Sequence, residues 1–184
     1  IGDVFYAEAE YIHDCRTHMA SDGWRGGMPP IYYATHSLGP GLDILDDRCV
    51  QAIGLSTRSR ISPEFDAPDM EVGLFTTQNG VTIKILCGFK VARSPAFHWQ
   101  VFYGTEGVIE NGRPPGDSAK TFRDGDTGMR DIPADVSDPG LAESVTGGHG
   151  TSEALLIDDF VRAITQGEAA PIDVYRADEM TAPG

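Results

Sequence analysis

Tyr11 and His13 stand two apart in "FYAEAEYIHD", and Tyr32, Tyr33 and His36 crowd "PPIYYATHSLGPG". A phenol beside an imidazole can handle the proton of a hydroxyl group. Imidazole gains and loses a proton near neutral pH, and a phenol takes part where a neighbour polarises it or lowers its pKa. Strand side chains two apart project to one side, so Tyr11 and His13 suit a shared small polar ligand. Tyr33 and His36, three apart, share a face if the chain already turns helically there. For either pair taken alone packing is the favoured reading, because aromatic rings also fill space at a strand end or a helix entry. Trp24 offers a flat apolar face and Arg25 a fork of donors, in a glycine-rich stretch that otherwise reads as a surface loop anchored by one Trp. His149, just before the last apolar-striped segment, either lines a cleft or ends a loop. His98 and Trp99 are adjacent on a strand and face opposite ways; ordinary sheet packing is the expectation for them.

Other chemistries find no support. His13, Cys15 and His18 match no usual zinc spacing and lack a fourth ligand, so no metal is expected. There is no G-x-G-x-x-G and no Walker-type loop; "GWRGG" and "GGHG" lack the strand-then-helix setting that cradles a phosphate. Three cysteines, Cys15, Cys49 and Cys87, lie far apart and read as reduced thiols rather than a disulfide framework. A formal net charge of −14 repels a phosphate backbone and an anionic bilayer, which argues against nucleic acid and membrane as partners. No apolar run approaches the ~20 residues of a membrane span.

These residues need elements to hold them. Alternation from Gly2 to His13 predicts a strand, and residues 14–30, rich in Gly and Pro, predict a long loop. Leu38, Leu42 and Leu45 recur at helical spacing and predict a helix over Thr35–Asp46. Strands follow at Cys49–Thr57, Met70–Thr77, Val81–Lys90 and His98–Tyr103, the middle two joined by a turn at Asn79-Gly80. Residues 112–150 promise only short strands such as Ala119–Arg123. Leu156, Phe160 and Ile164, with Ile157 and Val161, then stripe a final helix, with Thr151 or Ser152 as its cap and Gly167 as its stop. Strand, helix, a run of strands and a helix specify an α+β fold with helices on one face of a sheet; a parallel α/β fold needs helices between most strands.

Taken together, "GDVFYAEAEYIHD", the Trp-Arg pair, "YYATHSLGPGLDIL" and "GGHGTSEALLIDDFVRAI" resemble, in this order, the C-terminal domain of the Gfo/Idh/MocA oxidoreductase superfamily. Within it, they are most similar to the branch holding the NAD-dependent glycosidases of glycoside hydrolase family 109. The resemblance spans nearly the whole chain and is weakest over residues 58–68 and 112–145. It implies an open, mainly antiparallel sheet that lines a substrate cleft on one side and packs in a homo-oligomer on the other. It also implies that residues 1–184 are a single substrate-binding and oligomerisation domain, truncated at both ends. NAD or NADP would be bound mainly by an N-terminal Rossmann domain outside this chain, which also carries the catalytic Lys.

Carried onto this sequence, the family pattern makes His36, Tyr33 and Tyr11 catalytic, and makes His13, Trp24, Arg25, Tyr32 and His149 substrate contacts. Many sugar and inositol dehydrogenases of the superfamily have Asp where Tyr32 stands, which shifts weight toward the glycosidase-like branch. The expected parent is a cytoplasmic, nicotinamide-dependent enzyme acting on a sugar or sugar derivative by hydride transfer. The fragment alone is expected to be inactive. Two alternatives stand beside it: a redox-neutral glycosidase, and a non-catalytic dimerisation module.

Overall fold

The computed structural model describes residues 1–21, 23–95, 97–113, 116–133 and 152–184. The strand predicted first is β1, Val4–Ile12, and it lies at the centre of the sheet. Its alternation has a physical consequence: Ala7 and Ala9 are buried on one face, where small side chains let a helix approach closely. The chain then forms two short helices, α1 (Arg16–Ser21) and α2 (Gly23–Gly26), where a loop was expected. Gly26 explains the second. A Cβ at that position would run into the Phe65 ring, so glycine here serves close packing rather than looseness. Gly26→Ala is therefore expected to cost about 1–3 kcal/mol by overpacking, read as a lowered urea midpoint. An unaltered midpoint would mean that the Phe65 segment yields freely.

A 3-10 turn at Pro30–Tyr33 leads into α3, Thr35–Leu45, with Pro40 inside it. Proline has no amide hydrogen, so Pro40 cannot bond the carbonyl of His36 four residues earlier, and the first turn of α3 lacks that rung. The glycines flanking Pro40 face neighbours closely. A Cβ on Gly39 would sit 3.6 Å from the Met180 sulfur, and one on Gly41 would sit 3.9 Å from Ile83. The helix ends where Asp46 turns left-handed at φ 47°, a conformation that Asp tolerates better than most residues.

The remaining strands are β2 (Cys49–Ser56), β3 (Met70–Thr77), β4 (Thr82–Gly88), β5 (Phe97–Gly104), β6 (Gly107–Glu110), β7 (Ala119–Arg123) and β8 (Arg130–Ile132). They form one open sheet of eight strands in the order β2-β3-β4-β1-β5-β6-β7-β8. Every pairing is antiparallel except β1 with β4. The fold is α+β. Leu38 and Leu42 of α3 are fully buried against Ala7, Ala9, Phe75, Ile83, Ile85 and Phe102, which form the main core. On the opposite face Ile53, Leu55 and Leu74 are exposed, beside an ion pair of Lys84 with Glu8 and a smaller cluster of Ile12, Trp99 and Val101.

Ile1–Pro133 with Asp178–Gly184 form one compact unit, and Ala134–Ala177 form a second. In the second, α4 (Ser152–Gln166) carries the expected stripe, with Leu156, Phe160 and Ile164 exposed along it, and Gly167 follows at φ 70°, a conformation suited to ending a helix. A last helix, α5 (Val174–Thr181), contributes Met180 to the core of the first unit. No described helix is long and apolar enough to cross a membrane.

Candidate functional site

Four of the side chains singled out from the sequence, Tyr11, His13, Tyr33 and His36, come together at the end of β1. Tyr11 is the hub. Strand pairing sets it directly opposite His98 of β5, and their ring centroids lie 3.9 Å apart. His36, in the first turn of α3, sits 5.0 Å from Tyr11, and Tyr33 from the preceding 3-10 turn sits 5.3 Å from His36. Phe89, just past β4, packs edge-on against both tyrosines at 4.9 and 5.1 Å. His13 lies 6.2 Å from Tyr11, with its amide bonded to the Gly88 carbonyl at 2.8 Å. Its Nδ1 is 3.0 Å from the Cys15 Sγ, a contact that ties down one ring nitrogen and leaves Nε2 for a ligand.

Beside the rings opens a groove of about 470 Å³. His36 and His98 line it together with Gln100 and Asn111, while Phe102 and Ile109 give it an apolar floor. A few convergent polar groups on apolar walls is the usual make-up of a small-molecule site. Asn111 is itself fixed, accepting from the Gln100 amide at 2.5 Å and donating to the His98 carbonyl at 3.1 Å.

The remaining predicted residues are less central. Trp24 is 67% exposed, with the Arg25 guanidinium 5.1 Å from its ring centre. Arg25 is half-buried and lies near the Cys15 thiol, whose pKa burial and then Asp14 raise against the opposing pull of the guanidinium, which brings the α2 segment to the His13 side of the cluster. Tyr32 is 60% exposed, and among the described residues it joins none of the ring contacts that Tyr33 makes. His149 lies outside the described residues. Among the described residues no three His, Cys, Asp or Glu side chains stand in a metal-holding group. The glycine-rich "GWRGG" stretch forms α2 and its end, with Gly26 against Phe65, and makes no phosphate cradle.

His98 is the functional candidate that sequence reading missed. Alternation on β5 correctly sets it opposite to buried Trp99, but only the pairing of β1 with β5 reveals that its side is the Tyr11 side. Partial desolvation beside the neighbouring rings, and then the imidazoles of His36 and His13, lower its pKa, although the side chain stays exposed on its groove side. Burial chiefly, then Cys15, Tyr33 and Cys87, raises that of Tyr11, which favours the protonated phenol.

A sign follows for pH. A base whose folded pKa is depressed resists protonation, so His98 contributes stability in full above the ordinary imidazole range near about pH 6.5 and loses it as pH falls through its own lower value. Ring-proton NMR is expected to give His98 a midpoint below that of an unstructured histidine peptide. A midpoint at or above the peptide's would contradict the packing described.

No family model matches this sequence. The fold, however, is that of the C-terminal part of Gfo/Idh/MocA oxidoreductases. The solved structures it resembles include UDP-N-acetylglucosamine 3-dehydrogenase GnnA from Acidithiobacillus ferrooxidans (TM-score 0.71, 15% identity, 98% of this chain and 51% of that one). Also similar is myo-inositol 2-dehydrogenase from Lactobacillus plantarum (TM-score 0.67, 19% identity, 100% of this chain and 52% of that one). A third is an oxidoreductase from Agrobacterium radiobacter in complex with NAD+, L-tartaric acid and magnesium (TM-score 0.70, 15% identity, 100% and 52%).

Among curated proteins the chain is 26% identical, over 216 aligned positions, to glycosyl hydrolase family 109 protein 1 of Shewanella sp. strains ANA-3, MR-4 and MR-7. The alignment takes in 95% of this chain and 46% of those proteins, so the chain spans about half the length of the curated relatives it matches.

Proposed function

We propose that this chain is the substrate-binding half of a nicotinamide-dependent oxidoreductase that acts on a sugar or sugar derivative by hydride transfer. The observation that carries this reading is the meeting of Tyr11, Tyr33, His36 and His98 at one end of β1 beside an open groove. Packing alone does not require two imidazoles to line one opening beside two phenols, a set of groups suited to recognising a polyhydroxylated ring. The dehydrogenases of similar fold support the substrate class.

When bound, by a part of the protein outside this chain, the nicotinamide accepts the hydride of the substrate carbon. The residues here do the rest. His36 takes the hydroxyl proton as the carbon is oxidised. Tyr11, held protonated, donates a hydrogen bond to the sugar, and Tyr33 with Phe89 fixes the tilt of these rings. His13 offers its free nitrogen to a neighbouring hydroxyl. Trp24 and Arg25 cover the sugar from the α2 side, and Tyr32 adds a further contact. On this reading the cofactor site and the family's Lys lie outside residues 1–184, and these residues alone are expected to be inactive.

The sequence likeness to family 109 proteins favours a second reading, a redox-neutral glycosidase. There the transient ketone acidifies the adjacent C–H, elimination expels the glycosidic oxygen, and the hydride then returns. Incubating the intact protein with NAD or NADP and a panel of sugars and aryl glycosides separates the two. Net reduced cofactor identifies a dehydrogenase, aglycone release without it a glycosidase, and neither signal on any substrate rejects the catalytic reading.

The exposed Ile53, Leu55 and Leu74 suit a sheet-to-sheet contact with a second copy, which both enzyme readings share with the rival of a non-catalytic dimerisation module. The ring cluster favours the enzyme readings, since a dimerisation sheet has no use for imidazoles on its other face. The parent is taken as a cytoplasmic protein.

A further inference from the structure

We propose that His98 is a catalytic residue that shares the reacting hydroxyl with His36, one imidazole taking the proton while the other donates its N–H to the same oxygen. The inference rests on the carbohydrate reading above and adds a second group at the reacting atom.

Distance carries it first. The two ring centroids lie 6.3 Å apart at an interplanar angle of 64°. A hydrogen bond from imidazole nitrogen to oxygen is about 2.9 Å, and the nitrogen stands roughly 1 Å out from the ring centre, so each ring reaches an oxygen about 4 Å from its centroid. Two such legs close on a 6.3 Å base with an opening near the tetrahedral angle, which suits a hydroxyl that donates to one ring and accepts from the other.

Accessibility comes next. Both imidazoles are exposed and both line the groove, so neither is sealed beneath the other. Support from below completes the geometry. Tyr11 touches both rings, at 5.0 and 3.9 Å, and the Asn111 amide pins the His98 backbone.

The electrostatics agree. Tyr11 of β1, His13 beyond its end and His36 of α3 face His98, while Glu110 of β6 lines the same groove. Burial and the two other imidazoles disfavour a second proton on His98. The ring therefore keeps one N–H donor and one lone pair. The balance is simple. The C–H bond breaks with its electron pair going to the nicotinamide, the O–H proton passes to His36, and the new C=O oxygen keeps the N–H of His98. The carbon is oxidised and the nicotinamide reduced, with no other reactant.

The test uses the full-length protein loaded with NAD and labelled at its histidine ring carbons, titrated with D-glucose, N-acetyl-D-glucosamine and myo-inositol. His98 and His36 signals moving together with one sugar is the expected result. Movement of His36 without His98 overturns this assignment and leaves the carbohydrate reading standing; stillness of both with every sugar overturns the two together. Kinetics then separate donation from packing. His98→Phe keeps a ring on Tyr11 but has no N–H, and is expected to lower kcat 10- to 100-fold with KM changed by less than threefold. His98→Gln restores a donor and is expected to recover most of that loss. Equal losses in the two variants, or none in either, reject a hydrogen bond from His98.

Discussion

Replacing His36 by alanine in the full-length protein is expected to lower kcat by about 10²- to 10⁴-fold on every accepted sugar, the usual worth of a positioned proton acceptor. The size follows from its setting. His36 stands in the first turn of α3, opens onto the groove, and is braced by Tyr11 at 5.0 Å and Tyr33 at 5.3 Å. Water entering the space left by the side chain accepts a proton far less readily than imidazole at neutral pH. Steady-state kinetics on the wild type and the variant check this, and unchanged turnover removes His36 from the reaction. Because the ring is exposed, its loss leaves little cavity, so the thermal midpoint should move only slightly while the rate collapses.

The opposite pattern is expected two residues further on. Leu38→Ala removes a side chain that is 0% exposed, on the helix that carries His36, packed among Leu42, Ile83, Ile85 and Met180. Emptying that site loses transfer energy and leaves a cavity the sheet cannot close, at a cost of about 2–5 kcal/mol. Chemical denaturation of the 184-residue chain measures it. A loss under about 1 kcal/mol would mean that α3 is not held to the sheet by this layer. The pair is informative because His36 and Leu38 share one helix: the first side chain opens onto the groove, and the second is buried as an anchor.

Much of this was legible in residue order. Alternation placed β1, β3 and β4 nearly to the residue, because a strand with one buried face has period two and these strands have one. The leucine spacing located α3 despite Pro40, since burial of Leu38 and Leu42 outweighs one missing rung. The stretch over residues 14–30 misled for the converse reason. Its glycines read as breakers, yet Gly26 is buried against Phe65, a partner 39 positions away that no local pattern reveals.

Local rules thus determined the elements of this protein and the identity of the chemical groups at their ends: the phenol of Tyr11, the imidazoles of His13 and His36, and the absence of a glycine-rich phosphate loop. They operate within a few residues, through side-chain period and backbone preference. Tertiary structure decided which of those groups meet. Pairing β1 parallel to β4 and antiparallel to β5 is a choice among long-range registers. That choice brought His98 across from Tyr11, left Tyr32 outside the ring cluster while Tyr33 entered it, and opened the groove between α3 and β5. A one-residue slip would turn His98 to the other face of the sheet, because side chains alternate along a strand.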